Sequence, residues 1–470
     1  MLLILEGICM LTIIPVSLYY AENDLFPALI SATITFTAGS LLFFTCKDQN
    51  KRIDKREGFL IASSTWLVLS AFGSLPFIIS GAIPSYTDAF FESVSGFTTT
   101  GATILTDVES LSHGLLYWRS LTQWLGGMGI IILSLAILPI LKIGGLQLLS
   151  AQVPGPNTDK LRPRIKNTAK RLWTIYLLFT VSEAILLKLG GMSLFDAICH
   201  SFTTISTGGF STKTAGLAAF DAPHIHYIII IFMIIAGTNF SLAYLGLRGK
   251  LRKVLENEEF SFYIGVLLLF TLGMGALLHF SSGHELEQSF RHAAFQVVSV
   301  VTTTGFASTD YTLWAPLLVI VFFILMFTGA SAGSTGGGIK MIRLLLLAKN
   351  TRQELRRIIH PTAVVPVQFN HRLVPQDIIY NVLAFIIFYV LTTGVSAVII
   401  SALGYDIASS FSAVAATLGN IGTGLGKVGP SVNFAHFPVF GKWFFSFLMI
   451  LGRLELFTLL VLFSGWFYRD

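Results

Sequence analysis

Ten mostly apolar stretches recur along the chain, at 2–20, 25–45, 59–80, 115–141, 172–190, 225–247, 260–280, 314–347, 377–402 and 440–467. A helix of roughly 20 residues crosses the ~30 Å hydrocarbon core of a bilayer; each stretch is at least about that long, and 314–347 is interrupted. Hydrocarbon offers backbone groups no partner, so only helices and closed barrels can span it. Composition agrees: 53% of residues are hydrophobic and 12% charged, against about 25% charged in soluble domains. The opening "MLLILEGICMLTIIPVSLYY" carries Glu6 and no basic residue, unlike a cleavable signal peptide, and reads as a retained first span. Cys9, Cys46 and Cys199 show neither metal-ligand spacing nor a disulfide pattern.

Charge gives the direction. If the spans alternate, 24 of the 31 Lys and Arg residues fall on one side, clustered at 47–56, 142–171, 248–253 and 340–357 with Arg372 and Arg469. The positive-inside rule makes that side cytoplasmic, with both termini on it. The net charge of +6 is then a topology signal, and no nucleic-acid partner is expected.

Four longer segments, 81–114, 191–224, 281–313 and 403–439, lie on the other side. Each holds an apolar stretch too short to span, as re-entrant segments do. They read "DAFFESVSGFTTTGAT", "DAICHSFTTISTGGFS", "SFRHAAFQVVSVVTTTGFAS" and "DIASSFSAVAATLGNIGTG". Asp88, Asp196, Ser289 and Asp406 suit an N-cap. About three helical turns follow, then a small polar pair and a glycine: Gly101, Gly208, Gly305 and Gly422, separated by 107, 97 and 117 residues. The expected fold is an all-α polytopic membrane protein, with two N-terminal spans and four span–short helix–span repeats around a central pore. The divisions are 1–46 for the hairpin, then 57–145, 168–250, 258–348 and 375–468 for the repeats.

Extended backbone at membrane depth survives only where it is buried in protein or lines a water-filled cavity. Four such strands present rings of carbonyls, which replace the hydration shell of a monovalent cation. Thr99, Thr100 and Gly101; Ser206, Thr207 and Gly208; Thr303, Thr304 and Gly305; and Asn420, Ile421 and Gly422 are the candidate cation ligands. The short helices aim their negative ends at the same place.

"SGFTTTGAT", "FTTISTGGFS", "VVTTTGFAS" and "LGNIGTGLG", with "QWLGGMGIIIL" and "GRLELFTLL", resemble the Trk/Ktr/HKT superfamily, most closely its bacterial Trk-type membrane subunit. The resemblance covers essentially the whole chain. It implies potassium uptake across a bacterial inner membrane, with rubidium and sodium as further cations. It also implies a homodimer of membrane subunits in lipid, a cytoplasmic nucleotide-binding regulatory subunit, and potassium as cargo with no organic cofactor. The fourth segment departs from the Thr-Thr-Gly pattern. Members with Ser at the first filter glycine tend toward sodium; Gly101 stands here.

"FTGASAGSTGGGIKMIR", 327–343, breaks the eighth span with five glycines, too many for a plain helix. Gly333, Gly336, Gly337 and Gly338 form a candidate gate beneath the filter; a packing face of small residues is the structural alternative. Gly333 to Gly338 has phosphate-loop spacing, but Ile339 stands where Lys is needed. Arg453, inside an apolar span, faces the pore, bonds to loop carbonyls near Gly336, or pairs with a carboxylate. Arg119 and Glu183 read as snorkelling, and His200 and His292 as packing or capping. No catalytic constellation lies in the spans, so an enzyme is not expected. A proton- or sodium-coupled secondary transporter is the competing function.

Overall fold

The computed structural model describes residues 1–45, 55–136, 161–283, 285–362 and 365–467. The expected divisions at 46, 145 and 468, and the basic segment 142–171 as far as residue 160, lie outside the described residues.

The described residues are mostly helical, with one small hairpin pairing Gln368–Phe369 with Arg372–Leu373. Its turn residues Asn370 and His371 have φ of 48° and 61°, the left-handed pair that a two-residue hairpin needs. The first two spans, Leu2–Tyr20 and Leu25–Thr45, pack through small residues. A Cβ on Gly39 would lie 2.8 Å from Ile4 N, and one on Gly7 3.0 Å from Phe36 N. Bare glycines thus let the two backbones touch.

Four units follow. In the first, Lys55–Gly73 and Leu75–Ile79 lead to the short helix Tyr86–Phe97 and then to His113–Ala136. In the second, Leu161–Leu189 leads to Leu194–Ile205 and to Pro223–Ala236 with Phe240–Leu247. The third has Glu258–Ser282, Leu286–Val301, Pro316–Leu325 and Met341–Ile359; the fourth has Gln376–Ser401, Ile407–Leu418, Val439–Arg453 and Phe457–Leu460. Outward faces are apolar: Leu268, Leu269, Leu272, Val390, Leu391 and Val398 are all exposed, as a lipid-facing surface requires.

Three expectations change. Among the described residues, six helices are long and apolar enough to cross a membrane, or eight counting two bent pairs, not ten. The expected span 115–141 is a helix to Ala136, beyond which it leaves the described residues; 314–347 is interrupted between Leu325 and Met341, as its glycine run predicts. The span 225–247 bends by 111° after Ala236, and 440–467 by 110° after Arg453.

The short helices also start earlier than read. Ser85 and Ser193 are the N-caps, accepting from Asp88 N and Asp196 N. Asp88 and Asp196 therefore sit three residues in, where a carboxylate still faces the positive helix end. Ser289 lies inside a helix capped at Glu285, while Asp406 does cap, accepting from Ser409 N.

Finally, neither Arg119 nor Glu183 snorkels: they are 3% and 0% exposed. Arg119 Nε meets Glu92 Oε1 at 2.6 Å, since a buried guanidinium needs a partner.

Candidate functional site

The four short helices end in the same turn. The amides of Thr99, Thr207, Thr303 and Asn420 donate three residues back, to Gly96, Thr204, Val300 and Thr417. The next amides, of Thr100, Gly208, Thr304 and Ile421, donate five back, to Ser95, Thr203, Ser299 and Ala416. This is the Schellman pattern, whose pivot residue is left-handed and usually Gly. Here the pivots are Thr99, Thr207, Thr303 and Asn420, with φ of 51–58°. A β-branched residue in that region is strained.

Two residues after each pivot comes a glycine with positive φ: Gly101, Gly209, Gly305 and Gly422. The second segment is thus one residue out of the register read from sequence, which took Gly208 as the ring glycine. Thr207, not Ser206, pivots, and Gly208 occupies the place of Thr100 and Thr304. Two adjacent glycines concealed the choice, and the helix-end hydrogen bonds decide it.

These glycines interlock. A Cβ on Gly101 would overlap the carbonyl oxygen of Gly208, and one on Gly209 that of Thr304. One on Gly305 would overlap Ile421 O, and one on Gly422 would overlap Thr100 O, closing the circle. The four segments therefore meet in a closed circle in chain order, each bare glycine seating a carbonyl of the next segment. Every residue from Thr98 to Thr100, Ser206 to Thr207, Thr302 to Thr304, and Asn420 to Ile421 is buried. Thr99 Oγ1 is buried without a protein partner.

Side chains of the short helices hold the strands from behind. Glu92 accepts from Ile104 N at 3.0 Å and from Thr103 Oγ1. His200 joins Asp196 O at 2.8 Å to Ser211 Oγ at 3.0 Å. His292 Nδ1 lies 3.2 Å from Ser308 Oγ, and Ser412 bonds both the N–H and C=O of Leu425. Both histidines thus brace strands.

The glycine-rich loop between Leu325 and Met341 lies directly under the ring. Gly337 N donates to the pivot Thr303 Oγ1 at 2.6 Å. Thr335 Oγ1 donates to Ile205 O at 3.1 Å, the last residue of the second short helix. Gly336 is pressed against Thr302 O, and Gly337 against Gly419 O and Asn420. Gly333 lies against the Asn239 amide, which donates to Ala332 O at 2.6 Å. Gly338 packs on Gly329, beside the bridge from Thr328 to Ile339. The loop is fixed at its flanks by Glu259, which accepts from Ala332 N at 2.7 Å, and by Lys340, which donates to Gly336 O.

Arg453 completes this floor. Its Nη1 donates to Thr335 O at 2.8 Å and its Nη2 to Gly126 O at 3.3 Å. The structure therefore places it on one loop carbonyl, next to Gly336, and on one helix carbonyl. Glu455 pairs with Arg343 at 2.5 Å instead. Through Gly126, whose Cβ would overlap Phe97 O, Arg453 also reaches the first short helix. The loop thus touches the ends of the second, third and fourth short helices and is linked to the first through Arg453 and Gly126.

Sequence reading quoted Gln123, Gly126 and Gly452 inside motifs but gave them no role. Gly452 packs on Leu418 O as Gly126 does on Phe97 O. The available signal was that Gly126 and Gly452 stand at corresponding places after the first and fourth segments. Asn239, Glu259 and Lys340 left no such trace.

Comparisons with known proteins agree along the whole length. A profile of the TrkH family, described as cation transport protein, matches residues 26–467. The chain is 45% identical to the Trk system potassium uptake protein TrkH of Salmonella typhimurium, over 93% of this chain and 91% of that one. It is 41% identical to TrkH of Halomonas elongata, over 100% and 98%, and 36% identical to TrkG of Escherichia coli, over 99% and 96%. Among solved structures, the crystal structure of the potassium transporter TrkH from Vibrio parahaemolyticus matches with a TM-score of 0.90 and 38% identity, covering 100% of this chain and 97% of that one. The chain belongs to the TrkH family of cation transport proteins.

Proposed function

We propose that this protein takes up potassium across a bacterial inner membrane through the ring of four strands. The observation that carries the reading is the closed circle of carbonyls seated on Gly101, Gly209, Gly305 and Gly422. Potassium must shed water to pass so narrow a path, and carbonyl oxygens replace that water. The four helix C-termini add negative potential at the same point. Thr99 Oγ1, buried and unpartnered, supplies a further oxygen at the inner end.

The loop at 326–340 with Arg453 acts as the gate. Arg453 brings a positive charge to the floor of a cation path, where it opposes passage as well as holding the loop. Opening means breaking the bonds to Thr335 O and Thr303 Oγ1. The family resemblance supports a cytoplasmic nucleotide-binding partner that moves this loop, and a homodimer of subunits each with its own path. The basic clusters support cytoplasmic termini.

The test is rubidium-86 uptake into proteoliposomes holding the full chain, with potassium, sodium or lithium as competitor. Saturable uptake blocked far better by potassium than by sodium is expected. Equal block by sodium and potassium would sink the selectivity assignment. Uptake that appears only with an imposed proton or sodium gradient would favour the coupled transporter.

A further inference from the structure

The ring has four equivalent carbonyls but not four equivalent supports. Behind the first strand, Thr98 Oγ1 and Thr100 Oγ1 are hydrogen-bonded at 2.8 Å, and behind the third, Thr302 Oγ1 and Thr304 Oγ1 at the same distance. The second strand has Gly208 where these have Thr, so half of that hydroxyl pair is missing. The space is filled from another repeat. A Cβ on Gly208 would collide with the side-chain amide of Gln123, which rises from the helix His113–Ala136.

Gln123 is fully buried. Its Nε2 donates to Gly208 O at 2.7 Å and its Oε1 accepts from Phe210 N at 3.1 Å. The orientation follows from the partners, because a carbonyl can only accept and an N–H can only donate. One side chain therefore grips the strand on both sides of Gly209, and one of the atoms it grips is the carbonyl seated on Gly101.

We propose that Gln123 is a positioning residue for the ion path, fixing the Gly208 carbonyl where the first and third strands use a threonine pair. The inference rests on the ring being the selective element. A ligand oxygen discriminates between cations only while its own supports hold it to within about half an ångström. Without Gln123, the Gly208 carbonyl loses its donor and gains room to turn, and the ring keeps three fixed oxygens of four.

The experiment measures rubidium-86 uptake by the full chain in proteoliposomes, with potassium and sodium as competitors. Gln123→Met keeps the volume and removes both hydrogen bonds. It is expected to lower the potassium-over-sodium preference by roughly fivefold to tenfold, the scale of one or two lost hydrogen bonds. Gly208→Thr alone collides with Gln123 and should abolish uptake. The double variant Gln123→Ala with Gly208→Thr rebuilds the pattern of the first and third strands, and should recover most of both uptake and preference. A pure packing role predicts that Gln123→Met is silent and that the double variant is no better than its parents; that result overturns the inference. Gly101→Ser is the control. If it shifts the preference and the Gln123 variants do not, only the role of Gln123 falls. If no variant moves the preference, the ring is not the selective element and both readings fall.

Discussion

At the scale of single residues, the site is built from backbone conformations that most side chains avoid. Gly305 and Gly81 show that conformation and surroundings act separately. Both have φ near 75°, so alanine at either meets the same local strain, about 1–2 kcal/mol. At Gly81 nothing lies within 4 Å of a Cβ, whereas at Gly305 a Cβ overlaps Ile421 O. Gly81→Ala should therefore cost a few degrees of thermal stability and leave rubidium uptake intact. Gly305→Ala should fold and lose uptake at least tenfold; a transporting Gly305→Ala protein would show that Ile421 O is free to move. The pivots give the opposite trade. Thr99→Gly removes left-handed strain of about 1–2 kcal/mol and a buried hydroxyl without a protein partner. Thermal stability should rise while the potassium preference falls, because strain retained in a native protein usually serves its site. A Thr99→Gly protein that is more stable and fully selective would remove that hydroxyl from the ion path.

Among elements, the proposed gate is the loop, and its restraints can be named. Arg453 donates one charged hydrogen bond to the loop, at Thr335 O, and anchors its other end on Gly126 O, and a bond of that kind contributes about 1.5–3 kcal/mol. Arg453→Ala should shift the closed-to-open balance by roughly tenfold to a hundredfold, read as faster rubidium uptake without a partner protein. Unchanged uptake by folded Arg453→Ala would make the residue a structural tie only. The neighbouring pair behaves differently. Arg343 and Glu455 have side chains 3% and 14% exposed, and removing one partner strands the other, at a cost of about 3–5 kcal/mol. Glu455→Gln should lower the melting temperature sharply, and Arg343→Met added to it should restore part of the loss. What was legible here follows the hydropathy average. Long apolar helices such as Gln376–Ser401 declare themselves, and so does a run of five glycines. The bends after Ala236 and Arg453 did not, because Thr238, Asn239, Arg453 and Glu455 are too few to lower the average of the runs that contain them. Partners such as Glu92 with Arg119 are 27 residues apart in sequence and meet only when the first short helix folds back.

For the whole molecule, the four short helices with their common end were readable because each repeats its own local pattern, while the closure of the ring was not. Closure depends on Gly422 meeting Thr100 O, more than three hundred residues apart, and on ties such as Lys442 to Asp88 at 2.6 Å. It also required the correct glycine of the adjacent pair at 208 and 209, which local spacing left ambiguous. Direction is a property of the same scale, since the short helices must open toward the side from which the cation comes. Glu109 and Lys213 pair at 3.0 Å, and their segments follow the first and second segments of the ring. They lie on the side assigned as external. Lys250 follows the second bent span and belongs to the basic clusters assigned as cytoplasmic. With Cys9, Cys46 and Cys199 replaced by serine, Glu109→Cys should react with a membrane-impermeant maleimide on intact cells. Lys250→Cys should react only after the membrane is opened. The reverse pattern would invert the molecule: the filter would face the cytoplasm, the loop would become an outer lid, and a partner that moves the loop from the cytoplasm could no longer reach it.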